Sequence, residues 1–162
     1  MTRALGLLGH RTARIAFFVV ALMLFAWIMY GEVFMNLFNI RNILRQTSMI
    51  GIISLGMTMV IIGGGIDLSV GALTALCSVT AAYLSAYGPV AAVVGTLVLG
   101  LVLGAVNGLL VAGLRIVPFI ATLATMMTFR GVSYILTDIK SIPVPRSEKG
   151  FIEIGRGYIL ML

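Results

Sequence analysis

The chain has 162 residues, of which 60% are apolar and 10% charged, and its net charge is +6. Soluble domains carry roughly 25% charged residues. A mean hydropathy of +1.15 therefore excludes an ordinary water-soluble domain and points to lipid as the solvent.

The basic excess has the distribution of span-flanking charge, not of a nucleic-acid patch. Arg3, Arg11 and Arg14 precede the first apolar run, Arg41 and Arg45 separate two runs, and Lys140, Arg146 and Lys149 fall in a late polar segment. No basic stripe interleaved with aromatics is present, so no nucleic-acid partner is expected. Cys77 and His10 are the only residues of their kinds. An intrachain disulfide is impossible, and a metal site of ordinary ligand count cannot be built. Neither a metal nor a cofactor is expected.

In chain order, residues 1–14 are polar and basic, and residues 15–31 form a bulky uncharged run. A secretory signal needs small residues at the end of that run. This one ends in Trp27-Ile28-Met29-Tyr30, which suits an uncleaved span with an aromatic anchor. Residues 32–46 mix Phe, Leu and Ile with Asn, Arg and Gln and are expected at the membrane interface or packed against the bundle mouth. A second span is expected over 47–62 and a third over 67–87. Gly71, Ala75, Ser78 and Ala82 make a small-residue stripe along the third. After the turn at Tyr87-Gly88-Pro89, a fourth span covers 90–112, with Gly100, Gly104 and Gly108 at every fourth position. Such stripes let helices approach closely in lipid, so these glycines are expected to pack helices. A fifth span covers 117–136, with Pro118 near its start, where the missing N–H costs little. Residues 138–157 read as an extramembrane loop. The expectation is one all-α, polytopic transmembrane helix bundle of about five spans over 1–162, with a broken helix at residues 63–67. Five crossings from a cytoplasmic N-terminus place Arg115 inside and the 138–157 loop outside. That loop carries four basic residues, against the positive-inside preference, and a re-entrant element at the glycines would change the parity.

From Gln46 to Leu114 the only charged side chain is Asp67, beside Gly63-Gly64-Gly65. Each glycine in a helix interior costs about 1 kcal/mol relative to alanine, so three together favour a break. Backbone groups freed in a bilayer need partners inside protein or in a polar cavity. Just before the next helix, the Asp67 carboxylate is placed to accept from the N–H of Ser69 or Val70 and to meet the positive end of the helix dipole. Two readings stay open. Gly63, Gly64, Gly65, Asp67, Ser69 and Gly71 form a pathway or gating motif, as broken helices often do, or Asp67 is only a cap. An intramembrane enzyme would need a second titratable partner. Arg130 is the one candidate within a span and Arg115 sits at a span end, but arginine stays protonated. Catalytic residues are therefore not assigned.

GMTMVIIGGGIDLSVGAL, residues 56–73, closely resembles the signature of the permease subunits of bacterial ATP-driven sugar importers of the ribose, xylose and galactose type. The resemblance continues through Asn107-Gly108-Leu109-Leu110-Val111 and through Arg115 to Leu123, with Pro118, Phe119 and Thr122. It extends through Phe129-Arg130-Gly131-Val132-Ser133-Tyr134, and Asn36-Leu37-Phe38-Asn39 fits the opening segment. It implies a multi-pass protein of the bacterial plasma (inner) membrane that does no covalent chemistry. Its implied partners are a second permease copy or paralogue, cytoplasmic ATPase subunits that hydrolyse ATP, and a periplasmic sugar-binding protein. Members are roughly twice as long, so the chain reads as the N-terminal part of a permease. The alternative is a structural membrane scaffold, or an inactive fragment without transport of its own.

Overall fold

The computed structural model describes residues 2–144 and 149–156. Among the described residues there is helix and no strand: α1 (Thr2–Met35), α2 (Leu37–Ile62), α3 (Val70–Ser85), α4 (Pro89–Gly108), a π-helical turn (Leu109–Gly113), α5 (Pro118–Thr137) and α6 (Lys149–Arg156). The chain is a polytopic helical membrane protein. Four segments are long and apolar enough to cross a bilayer: Thr12–Met35, Leu37–Ile62, Pro89–Gly113 and Pro118–Thr137. α3, with 16 residues, is shorter than the roughly 20 that a crossing needs.

The chain divides into two compact units, Met1–Gly51 and Ile52–Leu162. In the first, α1 is bent at Gly31, whose φ of 44° and ψ of −119° leave the helical region. The break at Asn36 is satisfied locally. Phe38 N–H donates to Asn36 Oδ1 at 2.8 Å, and Asn39 Nδ2 donates to the Phe34 carbonyl at 2.8 Å. The segment 32–46, expected as a separate interfacial piece, is instead the end of α1 and the first turns of α2. The second helix thus starts at Leu37, ten residues before the expected 47. Its asparagines and arginines are accommodated by local bonds such as Arg45 to Asn42 Oδ1 at 2.6 Å, which let the helix run on.

In the second unit α3 packs against both α4 and α5. Ala72 and Leu76 of α3 meet Phe129 of α5, and Leu73, Leu99, Leu103 and Met126 surround them. The turn between α3 and α4 is three residues long, which makes them antiparallel neighbours. At Gly95 of α4 a Cβ would lie 2.3 Å from Leu84 Cδ1 of α3. A side chain at 95 would push the end of Leu84 aside, a contact the sequence reading missed.

Only part of the expected packing stripe on α4 meets a neighbour among the described residues. Gly100 approaches α3, with a Cβ placed 3.8 Å from Cys77 Sγ. At Gly104 and Gly108 an added Cβ meets nothing within 4 Å among the described residues, so these two pack no helix here. Gly71 and Ala75 of the α3 stripe are likewise exposed; the buried face of α3 runs through Ala72 and Leu76. The regular small-residue period is present, but most of it lies off the faces that meet described neighbours.

α4 passes into the π turn, where Leu114 N–H reaches back to the Leu109 carbonyl at 2.8 Å. Arg115 then takes a left-handed φ of 57°, and Pro118 opens α5. The late segment is not all loop. Part of it forms the short helix α6, which lies against α4.

Candidate functional site

The site grows from the end of α2. Gly65 N–H donates to the Val60 carbonyl and Gly64 N–H to the Ile61 carbonyl, both at 3.0 Å. These are the two bonds of a Schellman helix ending, with Gly64 at φ 75° as its left-handed residue. Gly65 is small for another reason: a Cβ there would sit 3.3 Å from the Val60 side chain and 3.8 Å from Pro118. The triple glycine thus closes α2 and lets α5 come near. The chain is non-helical from there until Val70.

The exposed backbone of that stretch is satisfied from α5. Leu68 N–H donates to Thr122 Oγ1 at 3.1 Å. The Thr122 hydroxyl donates toward the carbonyls of Pro118 at 2.8 Å and Ile66 at 3.1 Å. One threonine, buried at 3% exposure, ties residues 66–68 to the first turn of α5. An unpaired backbone group away from water costs about 1–3 kcal/mol, so this bond decides whether the break is tolerated.

Asp67 accepts two bonds on one oxygen. Ser69 N–H and Ser69 Oγ–H both reach Oδ1 at 2.7 Å. Helix α3 begins at Val70, three residues after the expected start, because Ser69 and not Asp67 occupies the cap position and its carbonyl takes the first helical bond from Leu73 at 2.8 Å. Asn107 of α4 donates from Nδ2 to Ser69 Oγ at 2.8 Å. The relay Asn107–Ser69–Asp67 therefore joins α4 to the start of α3. Ser69 is fully buried and Asn107 nearly so, at 8% exposure. Asn107 Oδ1 is buried with no partner. Asp67 makes no ion pair among the described residues.

This cluster forms one wall of a groove of about 390 Å³. Gly63, Gly65, Asp67, Asn107 and Thr122 supply its polar or small positions, and Val60, Leu73 and Val111 its apolar ones. Gly104 and Gly108 open onto the same groove. Of the residues singled out in the sequence, Arg115, Phe119 and Arg130 are exposed and take no part in it, and Gly71 and Gly131 meet nothing within 4 Å. The linking roles of Asn107 and Thr122 were not read from the sequence. A signal existed for Asn107: with Thr96, it is one of two polar side chains between residues 90 and 114.

The comparisons agree with this architecture. Residues 39–161 match the family described as branched-chain amino acid transport system / permease component. The chain belongs to that family. It is 47% identical over 129 residues to the ribose import permease protein RbsC of Bacillus subtilis, a match covering 78% of this chain and 40% of that protein. The ribose import permease protein RbsC of Haemophilus influenzae is 40% identical over 148 residues, covering 88% of this chain and 46% of the relative. The xylose transport system permease protein XylH of Escherichia coli is 39% identical over 146 residues, covering 87% and 36% respectively. The chain thus spans less than half the length of these relatives. No solved structure matches it.

Proposed function

We propose that this chain forms part of the membrane pathway of an ATP-driven importer for a sugar or sugar-like solute. The observation that carries the reading is the broken-helix cluster. The Asn107–Ser69–Asp67 relay and Thr122 hold a non-helical segment whose half-buried carboxylate, without an ion pair among the described residues, faces a groove, in a chain whose relatives are named ribose and xylose permeases. Irregular backbone at membrane depth is tolerated where it lines a cavity. In this reading Gly63, Gly64, Gly65, Asp67 and Ser69 shape the pathway. Gly71, exposed on α3, faces whatever covers that helix. Energy comes from ATP hydrolysed on separate cytoplasmic subunits. A second permease copy or paralogue completes the channel, and a periplasmic sugar-binding protein delivers the solute at the inner membrane.

The test is uptake of labelled ribose and xylose in the producing cells, with the gene deleted, restored, or restored as Asp67→Ala. Deletion and restoration should abolish and recover uptake of at least one sugar. Asp67→Ala should lower uptake roughly tenfold or more, as loss of about 1.4 kcal/mol or more from the rate-limiting state implies, with the amount of protein in the membrane unchanged. Normal uptake of every sugar after deletion would remove the importer reading and leave a structural scaffold. Loss of membrane insertion in Asp67→Ala would reduce Asp67 to a structural tie on Ser69.

A further inference from the structure

The polar cluster is incompletely satisfied, chiefly on the acceptor side. Both bonds to Asp67 land on Oδ1, and among the described residues nothing donates to Oδ2. Asn107 Oδ1 is buried without a donor. The hydroxyls of Ser69 and Thr122 and one N–H of Asn107 each already have a protein partner, which leaves the second Asn107 N–H as the one spare side-chain donor of the cluster. The oxygens left over are both acceptors, on two residues that line the same groove. What the groove lacks is hydrogen-bond donors.

We infer that this groove is a binding station for a polyhydroxylated solute, with Asp67 Oδ2 and Asn107 Oδ1 each taking one hydroxyl donor. The inference rests on the importer reading and adds to it the place and chemistry of a subsite. A groove of about 390 Å³ lies within the roughly 300–1,000 Å³ of small-molecule sites. Its apolar wall, Val60, Leu73 and Val111, suits the C–H face of a sugar ring, and its acceptors suit the hydroxyl edge. Rotation about the soft terminal torsion of Asn107 would turn the buried Oδ1 toward the groove at the cost of the Nδ2 bond to Ser69 Oγ, whose own bond to Asp67 Oδ1 stays. A monovalent cation would need more oxygens than these two residues offer. An apolar helix laid in the groove would leave the carboxylate uncompensated in lipid.

The test uses membrane vesicles from cells producing the full chain, with one reporter thiol in the groove, Gly108→Cys in a Cys77→Ala background. A side chain at 108 meets nothing within 4 Å, so the thiol fits. Maleimide labelling is timed with D-ribose, with D-xylose, and with glycine betaine, which has no hydroxyl donor. At tenfold above its dissociation constant a sugar should slow labelling by roughly tenfold; betaine should not. The isosteric Asp67→Asn should abolish the protection while leaving the sugar-free labelling rate unchanged, which reports an intact groove; Asn107→Leu, which also cuts the tie to Ser69, should abolish it too. Uptake without protection by either sugar overturns the subsite and leaves the importer reading standing. Protection that survives both substitutions also overturns it. Protection in a chain whose deletion leaves uptake normal upholds the subsite and removes the importer reading.

Discussion

Thr122 carries more of the break than any other side chain, because it accepts from one side of the non-helical segment and donates to the other. Thr122→Val keeps the shape and removes every one of those bonds. It should cost about 1–3 kcal/mol, the penalty for an unpaired buried amide. Thermal unfolding of the detergent-solubilised protein should show a lower midpoint, and Thr122→Ser should recover most of it. An unchanged midpoint for Thr122→Val would mean that Leu68 N–H finds another partner and the tie is dispensable. At this scale the sequence was only partly legible. Asp67 stood out as a lone charge, and its bond from Ser69 N–H follows from residue type and spacing. Thr122 lies more than fifty residues away in the chain, and its role depends on how closely α5 approaches the glycines. No local pattern encodes that distance.

The glycines separate into three physical classes when the elements are considered whole. Gly64 needs its left-handed φ of 75° to end α2. Gly95 leaves room for the end of the Leu84 side chain, whose Cδ1 is 2.3 Å from where a Cβ would be and would have to shift. Gly104 needs neither inside this unit. The consequences differ in sign. Gly64→Ala should destabilise by about 1–2 kcal/mol through the left-handed backbone. Gly104→Ala should stabilise by about 0.5–1 kcal/mol, because alanine is the better helix former and the space is open. Gly95→Ala should destabilise, and Leu84→Ala combined with it should give back part of the loss, a coupling that a double-mutant cycle on melting midpoints would resolve. If Gly104→Ala instead lowered stability or assembly, that face of α4 would be covered in the membrane. Helix existence and order were readable from apolar runs and turn residues. Which glycine faces a neighbour was not, since a four-residue period marks a stripe on a helix without saying what lies opposite.

At the scale of the molecule, α3 poses the question of how many times the second unit crosses the membrane. Its 16 residues rise about 24 Å, less than the roughly 30 Å of the hydrocarbon core. Two side-chain bonds nonetheless fix it alongside α5. At one end Thr122 holds residues 66–68, and at the other the Tyr83 hydroxyl donates to the Leu136 carbonyl. Thr122 and Leu136 lie near opposite ends of α5, a helix long enough to cross. The extended lead-in 66–69 plus α3 therefore runs parallel to α5 over most of its length, with the antiparallel α4 linking them. The break also sits within about 6 Å of the start of α5, given 1.5 Å per residue, so it lies toward one edge of the bundle and not at its middle. Single cysteines in a Cys77→Ala background would check this with a membrane-impermeant maleimide. Ile62→Cys and Leu114→Cys should label from one side, and Tyr87→Cys and Ile139→Cys from the other; all four positions are exposed. If Tyr87→Cys labelled from the same side as Ile62→Cys, α3 would be re-entrant, and the groove would be the floor of a pocket entered from one face only. A crossing α3 makes the same groove a stage near one mouth of a continuous passage, so the direction of labelling at residue 87 decides between two kinds of pathway.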